Sequence, residues 1–475
     1  MKDAEPQQRS EIGMVGLGVM GRNLALNMAD HGFSVAGYDK DQAKVEALRQ
    51  EAQHCDARGA ADIKEFLALL RRPRAVMMLV PAGAPVDSVI KDLLPHLDQG
   101  DLIIDAGNSY FKDTDWRART LDAKGIQFLG VGVSGGEEGA RHGPSIMPGG
   151  PKEAYERVRP VLEAAAAKVS GIPCVVWLGP GSTGHFVKMV HNGIEYGIMQ
   201  LIGETYDLMK RGLGLDDDQL GNVYGEWNEG ELNGYLLEIT SHIFSKKDEK
   251  TGQRLIDEIL DLAKQNGTGM WTSQSAMELQ VPIPSIDLAV AMRDISVLAK
   301  ERERASAIYP RSQRPFTGDR DRFLAQLGRA LFAGVVIVYA QGMALLAVAS
   351  EKYKYRLNLE AVARIWRGGC IIRAALLEDI CGAFHARSDL PNLLLDPNLS
   401  RKVMEHQEDL RRVTCQATEF GVPAPGLMVS LGYLDAYRSA WLPANLIQAQ
   451  RDYFGSHAYE RIDAKGLFHT QWEKE

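Results

Sequence analysis

The stretch that decides the fold is Glu11-Ile12-Gly13-Met14-Val15-Gly16-Leu17-Gly18-Val19-Met20-Gly21. It begins with a short run typical of a β-strand and ends in a turn with the spacing G-x-G-x-x-G. A helical pattern follows over residues 22–30, and a second strand over residues 33–38 stops at Asp39. This order predicts a βαβ unit that binds a dinucleotide. A chance glycine turn is the alternative, which the flanking strands and the acidic residue disfavour.

The glycines of this turn explain where the cofactor is expected. The first permits a tight turn, the second lets the backbone approach a pyrophosphate, and the third allows close helix packing. The helix that follows presents its N-terminal amides to the phosphates. We therefore expect cofactor contacts from the turn and from the end of the second strand, at Gly16, Leu17, Gly18, Val19, Met20, Gly21, Asp39 and Lys40.

Three further apolar runs, over residues 75–80, 102–105 and 127–131, predict more strands of the same sheet. In an open α/β sheet the ligand binds beside the carboxyl ends of the strands. A serine followed by two glycines in the predicted loop over residues 134–141 offers a hydroxyl group and amides to an anion, although a flexible surface loop is the alternative. We expect this loop near the cofactor, together with Val80, Pro81, Ala82 and Asn108.

The segment Gly179-Pro180-Gly181 predicts a domain boundary. Strands and helices alternate before it, whereas the pattern after it is helical with few candidate strands. The predicted fold is an α/β Rossmann domain over residues 1–181, a large all-α domain over residues 182–440 and a C-terminal tail over residues 441–475. The tail is rich in amide and aromatic side chains, as is typical of a docking segment.

The first helix after this boundary carries a polar stripe. Lys188, His191, Asn192 and Glu195 have the spacing i, i+3, i+4 and i+7, which places them on one helix face. Apolar residues surround the stripe, so we expect the helix to be largely buried. A buried polar stripe needs polar partners, and a substrate bound at the domain junction would supply them. The alternative is an ordinary solvated face.

Composition bounds the class of protein. A net charge of −8 over 475 residues disfavours general nucleic-acid binding. We expect no membrane-spanning segment, and residues 1–10 resemble a polar lead-in rather than a signal peptide. Five scattered cysteines form neither a disulfide framework nor a metal pattern, and no other metal-ligand spacing is present. We therefore expect a cytoplasmic protein without a metal.

A dinucleotide domain indicates hydride transfer, and a helix that carries a lysine and a carboxylate indicates proton transfers. With these features the sequence resembles the decarboxylating 6-phosphogluconate dehydrogenase family, in its long dimeric form, over nearly the whole chain. Two long segments carry most of the resemblance: Val133-Ser134-Gly135-Gly136-Glu137-Glu138-Gly139-Ala140-Arg141 and Lys188-Met189-Val190-His191-Asn192-Gly193-Ile194-Glu195-Tyr196. Residues 16–24, 143–150, 267–272 and 448–455 add to it.

The resemblance implies a homodimer in which each tail reaches into the other subunit. It implies oxidative decarboxylation of 6-phospho-D-gluconate to ribulose 5-phosphate and CO2 with reduction of NAD(P), a reaction of the pentose phosphate pathway. Lys188 would be the general base and later acid, and Glu195 the general acid. The implied substrate contacts are Asn108, Ser134, Gly135, Gly136, His191, Asn192, Tyr196, Thr268 and Arg293, with Arg451 and His457 supplied by the neighbouring subunit.

Several positions depart from the family pattern. The lysines that usually flank the Gly-Thr-Gly turn are Asn266 and Met270 here, and a lysine near the end of the third strand is Pro81. The Asn-Arg-Thr that usually holds the 2′-phosphate of NADP reads Asp39-Lys40-Asp41. Because an acidic side chain at the end of the second strand suits a ribose with unmodified hydroxyls, we expect NAD to be preferred, with NADP as the second choice.

Two other functions remain open from the sequence. A non-decarboxylating β-hydroxyacid dehydrogenase shares the N-terminal domain and a catalytic lysine, but the chain length, Glu195 and the tail disfavour it. A non-catalytic, NAD-sensing protein on the same fold is disfavoured because both chemical groups are present. Measurement of CO2 release together with cofactor reduction would separate the three.

Overall fold

The computed structural model describes residues 9–310 and 316–473. Of the expected lead-in, residues 1–8 lie outside this range, while Ser10 is buried and forms a parallel bridge with Leu70. The strands are β1 (Ile12–Val15), β2 (Val35–Tyr38), β3 (Ala57–Gly59), β4 (Ala75–Met78), β5 (Leu102–Asp105), β6 (Gln127–Ser134), β7 (Ser145–Gly149), β8 (Lys168–Val169), β9 (Ile172–Pro173), β10 (Tyr459–Glu460) and β11 (Leu467–Phe468).

Helices make up most of the chain after residue 182. The helices are α1 (Val19–Asp30), α2 (Gln42–Glu51), α3 (Ile63–Leu69), α4 (Ala84–Leu93), α5 (Phe111–Asp122), α6 (Gly136–His142), α7 (Lys152–Ala165), α8 (Thr183–Asp207), α9 (Asp217–Asn228), α10 (Tyr235–Ser245), α11 (Thr268–Leu279), α12 (Pro284–Ser296), α13 (Ala299–Ile308), α14 (Arg320–Lys352), α15 (Leu359–Ile365), α16 (Leu376–Ala386), α17 (Pro397–Phe420), α18 (Pro425–Tyr437) and α19 (Ala444–Gly455). A short π-helical segment (Leu208–Gly212) extends α8.

Seven strands form one twisted sheet in the order β3-β2-β1-β4-β5-β6-β7. All neighbours are parallel except β6 and β7, which pair antiparallel with Ser134 opposite Ser145. β1 lies between β2 and β4, with Ile12 opposite Val35 and Gly13 opposite Val76. The chain crosses from one side of β1 to the other here, and the crevice outside the carboxyl ends of such strands is where ligands bind.

The prediction of a loop over residues 134–141 was wrong. Ser134 is the last residue of β6, and α6 begins two residues later. Gly135 and Gly136 have φ values of 127° and 62°, which let the chain turn directly from strand into helix. α6 then packs against α1. The pairing of β7 with β6 and the short edge strand β3 were not predicted either.

Helix α14 lies at the centre of the helical part. It packs against α8 and α17, and its side chains are buried on nearly all faces. No membrane-spanning segment was expected from the sequence, yet by length and composition alone this helix could cross a membrane, because its 33 residues include a window with mean hydropathy 2.2. Since 83% of that window is buried inside the protein, the apolar composition reflects a core helix.

The tail forms a small unit of its own around Asp452. This carboxylate has no exposed surface and accepts hydrogen bonds from His469 Nδ1 at 2.9 Å, the Thr470 amide at 3.0 Å and Trp472 Nε1 at 2.9 Å. Burial raises the pKa of Asp452, but these hydrogen bonds outweigh it and hold the pKa at about 2. Large apolar side chains such as Phe454 remain mostly exposed on this unit.

Candidate active site

A cavity of about 750 Å³ lies at the carboxyl ends of β1, β4 and β5. Its walls are the glycine turn, the segments that follow the strands, and two residues of the helical part, Asn266 and Trp271. Of the predicted cofactor residues the lining includes Gly18, Val19, Met20, Gly21, Val80, Pro81, Ala82 and Asn108. Gly16, Leu17, Asp39 and Lys40 lie outside the lining.

The glycine turn fits a pyrophosphate. Gly16 has φ +93°, and a Cβ on it would lie 2.6 Å from the Leu79 carbonyl oxygen, while a Cβ on Gly21 would overlap the Gly16 carbonyl. A Cβ on Gly18 would meet no protein atom within 4 Å, so this backbone is open to the cavity. Gly18 is also the N-cap of α1 and gives no side-chain cap, which leaves the first helix amides for an anion.

Asp39 is held rigidly at the end of β2. Its Oδ2 accepts the Leu17 amide at 2.8 Å, and its Oδ1 accepts the Asp41 amide at 2.9 Å. The neighbouring Lys40 extends away to Asp92, with Nζ 2.9 Å from Oδ2, and this hydrogen bond raises the pKa of Lys40. The lysine side chain is 64% exposed, so the ion pair holds it only weakly.

Helix α8 crosses the sheet at close range. A Cβ on Gly132 of β6 would overlap the Lys188 side chain, and a Cβ on Gly184 of α8 would overlap the carbonyl oxygens of Met147 and Gly130. Glycine in both elements therefore lets the helix lie directly on β6 and β7. This contact places the polar stripe of α8 beside the carboxyl end of β6.

Lys188 is buried, with 6% of the residue exposed. Its Nζ donates to Asn192 Oδ1 at 2.8 Å, one turn along the helix. Burial lowers the pKa of Lys188, and the carboxyl group of Glu195 opposes this only in part. The environment therefore shifts the equilibrium toward the neutral amine, which is the form a general base needs.

His191 connects the lysine to β6. Its Nδ1 lies 3.1 Å from Asn192 Oδ1 and its Nε2 lies 3.3 Å from Ser134 Oγ. Burial holds the pKa of His191 well below 6.5, and a charge on Lys188 would lower it further, so the ring is neutral. An amide oxygen only accepts hydrogen bonds, so Nδ1 carries the proton and Nε2 accepts from the Ser134 hydroxyl.

Glu195 lies at the other end of the stripe. Burial raises its pKa, opposed by Lys188 and Arg293, which shifts the equilibrium toward the protonated acid. The Arg293 guanidinium lies over the Tyr196 ring, 3.4 Å from its centroid. Asn192 Nδ2 donates to Thr268 Oγ1 at 3.1 Å, which joins the start of α11 to the same group.

The structure thus brings most predicted site residues together. Ser134 to Gly136, the stripe of α8, Tyr196, Thr268 and Arg293 surround one site next to the cavity, and Asn108 lines the cavity itself. Arg451 and His457 are in the tail instead: Arg451 donates to Gln448 at 3.0 Å, and His457 packs on Phe454. Neither contact joins the tail to Lys188.

Some residues of the site were not assigned from the sequence. Asp113 and Trp271 line the cavity, and Trp366 packs edge-on against the His191 ring at 5.5 Å. Trp271 follows the Gly-Thr-Gly turn, and this position was a usable signal. Asp113 and Trp366 have no local pattern that marks them, because their positions depend on packing between distant segments.

Comparison with known proteins identifies the family to which this site belongs. The sequence-family model described as the NAD binding domain of 6-phosphogluconate dehydrogenase matches residues 11–179. The family model described as the 6-phosphogluconate dehydrogenase C-terminal domain matches residues 184–472. This chain belongs to the 6-phosphogluconate dehydrogenase family. The family match confirms the predicted order of a Rossmann domain and a large helical domain.

Relatives in this family are similar over their whole lengths. The NADP(+)-dependent, decarboxylating 6-phosphogluconate dehydrogenase of Bacillus subtilis is 51% identical over 467 residues, which is 98% of this chain and 100% of that protein. The decarboxylating enzyme of Escherichia coli is 48% identical over 465 residues, 98% and 99% of the two chains. The solved 6-phosphogluconate dehydrogenase of Plasmodium falciparum has a TM-score of 0.94 at 43% identity and covers 97% of this chain and 100% of that one.

These relatives decide between two of the functions that the sequence left open. The Bacillus subtilis and Escherichia coli relatives are named decarboxylating 6-phosphogluconate dehydrogenases, so the predicted decarboxylating function is confirmed over the non-decarboxylating alternative. The N-terminal domain is of the NAD(P)-binding type.

Proposed function

We propose that Lys188 and Glu195 perform the proton transfers in the oxidative decarboxylation of 6-phospho-D-gluconate to ribulose 5-phosphate and CO2. One observation carries the proposal: a lysine with a lowered pKa and a carboxyl group with a raised pKa share one face of α8, next to a dinucleotide cavity. Acid–base sites typically lower the pKa of a lysine and raise that of a carboxyl group, which brings both values closer to the working pH.

The roles follow from the protonation states. Neutral Lys188 takes the proton of the C3 hydroxyl group, and bound NAD(P) supplies a nicotinamide that accepts the hydride from C3. Protonated Lys188 then stabilises the oxyanion that develops as the C1–C2 bond breaks and CO2 leaves. Glu195, two turns further along α8, gives a proton to the enediol carbon that becomes C1 of ribulose 5-phosphate.

The remaining predicted residues form the proposed sugar-acid site. The amides of Gly135 and Gly136 offer donors at the start of α6, and the Ser134 oxygen offers an acceptor because its proton goes to His191. Asn192 adds a side-chain amide from the stripe. Arg293 presents a planar guanidinium, which suits phosphate better than a lysine does. Arg451 and His457 of a second subunit complete this site in the proposed homodimer.

We infer that NAD is preferred over NADP. The rigid carboxylate of Asp39 supports this preference, because it suits ribose hydroxyls and repels a 2′-phosphate. Lys40 extends toward Asp92 rather than Asp39, in an exposed pair that holds it only weakly. The name of the Bacillus subtilis relative gives NADP(+) as its cofactor, so the preference is a prediction for this chain's own residues. The division at residues 181 and 440 and the cytoplasmic location also stay predictions.

A coupled assay tests the proposed function. Purified protein is mixed with 6-phosphogluconate and either NAD or NADP, and absorbance at 340 nm is recorded together with CO2 release. We expect equal amounts of reduced cofactor and CO2, with the higher kcat/KM for NAD. Cofactor reduction without CO2 would contradict the decarboxylating chemistry.

A further inference from the structure

A buried polar cluster lies between the cofactor cavity and α8, outside the site described above. It consists of Asp105, Ser109, Thr114, Arg117 and His185, each at most 3% exposed. Buried polar groups are costly unless they are fully hydrogen-bonded. Here the bonds join segments that are far apart in the chain, so the cluster defines how those segments sit relative to one another.

Arg117 of α5 joins the two loops that form the wall of the cavity. Its Nη2 donates to the Gly83 carbonyl at 3.1 Å and its Nε to Asp87 at 2.7 Å, which holds the loop after β4 and the first turn of α4. Its Nη1 donates to Ser109 Oγ at 3.3 Å in the loop after β5. One planar guanidinium thus connects both strand-end loops, although it does not line the cavity itself.

Asp105 extends this connection to the backbone beside Asn108. Its Oδ2 accepts from Ser109 Oγ at 2.6 Å and lies 3.7 Å from Arg117 Nη1, while its Oδ1 accepts the Gly107 amide at 3.1 Å. Asn108 lies between Gly107 and Ser109 and faces the cavity. Both neighbours of Asn108 are therefore held by one buried carboxylate.

His185 connects the same cluster to α8. Its Nε2 lies 3.0 Å from the Asp105 carbonyl oxygen, and its Nδ1 lies 2.6 Å from Thr114 Oγ1 on α5. Burial lowers the pKa of His185, so the ring is neutral: Nε2 donates to the carbonyl, and Nδ1 accepts from the threonine. His185 precedes Lys188 by three residues, less than one turn of the helix.

We propose that Arg117 is a positioning residue for hydride transfer. It joins the loops after β4 and β5 at the wall of the cavity, while Asp105 and His185 hold the loop after β5 against the turn of α8 that carries Lys188. This inference rests on the proposed role of Lys188. A lysine at position 117 keeps the charge but lacks the fork that reaches three acceptors at once. Small displacements of reacting groups lower rates strongly.

The test is Arg117→Lys, assayed with 6-phosphogluconate deuterated at C3. We expect kcat to fall by roughly tenfold or more, with the KM for 6-phosphogluconate within about twofold of the original value, because the substrate groups on α8 are unchanged. The primary deuterium isotope effect on kcat should increase as hydride transfer limits the rate more. A merely structural role would not change the isotope effect.

Arg74→Lys is the matched control. Arg74 is also a buried arginine paired with a buried aspartate, with Nη1 2.8 Å from Asp101, but it precedes β4 at the opposite end of the sheet from the cavity. We expect a lower melting temperature with unchanged kcat and isotope effect. If Arg117→Lys shows the same pattern as Arg74→Lys, the positioning role is wrong.

Ser109→Ala provides the second variant if Arg117→Lys does not fold. It removes one acceptor of Arg117 and should give a smaller decrease in kcat with the same increase in the isotope effect; unchanged values would overturn the inference. An unmodified protein that releases no CO2 would instead overturn the proposed function, and this inference with it.

Discussion

Lys188 Nζ donates to the side-chain oxygen of Asn192 at 2.8 Å, across one turn of α8. The same oxygen accepts from His191, and the amide nitrogen donates to Thr268. Because the acceptor is a neutral amide, it orients the amine without adding a negative charge that would raise the pKa of Lys188. The lysine is therefore fixed in position by a partner that does not oppose the lowering of its pKa by burial, which suits a general base.

Asn192→Asp should shift the pH dependence of the reaction. A carboxylate in contact with Nζ raises the pKa of Lys188, and the base is active only when neutral, so the acidic limb of kcat/KM should move to higher pH. Profiles of log kcat/KM against pH for both proteins check this. An unmoved acidic limb would show that the limb does not report Lys188.

Lys188→Met and Glu195→Gln should each lower turnover on the order of a hundredfold or more, the scale of lost acid–base catalysis. Steady-state rates with saturating substrate and cofactor measure this. Lys402→Met, which removes a lysine of α17 paired with Asp379 of α16, is the control and should keep normal turnover. Near-normal turnover of a folded Lys188 or Glu195 variant would remove that residue from the mechanism.

Mixed dimers should restore activity from two inactive proteins. If Arg451 acts in the neighbouring subunit, a dimer of one Lys188→Met chain and one Arg451→Ala chain contains one intact site. We expect partial activity after subunit exchange, up to about half of normal per mixed dimer. Exchange demonstrated by mass spectrometry without any return of activity would argue against a shared site.

Asp39→Asn should change cofactor preference. The amide can still accept the Leu17 amide that Asp39 now accepts, but it no longer repels a 2′-phosphate. We expect kcat/KM to increase with NADP and decrease with NAD, changing their ratio by about tenfold or more. A clear NADP preference of the unmodified protein would show that Lys40 dominates instead.

Glu204 should make stability depend on pH. Burial raises its pKa to about 7, although it accepts hydrogen bonds from Gln200 and from the Leu427 and Gly426 amides. The folded state therefore keeps a proton that the unfolded chain releases near pH 4.5, so stability falls as pH rises from about 4.5 to 7, by roughly 3 kcal/mol.

The Glu204→Gln protein should not lose this stability as pH rises. Urea denaturation of both proteins at pH 5 and pH 8 measures it, with the exposed Glu405→Gln variant as the control. Parallel pH dependence of the unmodified and Glu204→Gln proteins would show that the carboxyl group ionises without cost, held by the amides at the start of α18.

The sequence by itself determined the features that local periodicity carries. The strand, glycine turn and helix at Gly16 to Gly21 follow from short-range backbone geometry, as does the shared face of Lys188 and Glu195, which lies within seven residues of one helix. The alternation of strands and helices before Gly179 and the helical pattern after it indicated the order of the two parts.

Tertiary structure decided what depends on contacts between distant segments. These features are the helix α6 in place of a loop, the antiparallel β7 and the buried cluster of Arg117, Asp105 and His185. His185 contacts Asp105 across 80 positions of the sequence, and Ser145 of β7 contacts Ile365 across 220. The same holds for protonation: the spacing put Lys188 on a polar stripe, but only burial against β6 lowers its pKa. Sequence spacing describes neighbours along one element, whereas desolvation and hydrogen-bond partners depend on which other elements close over it.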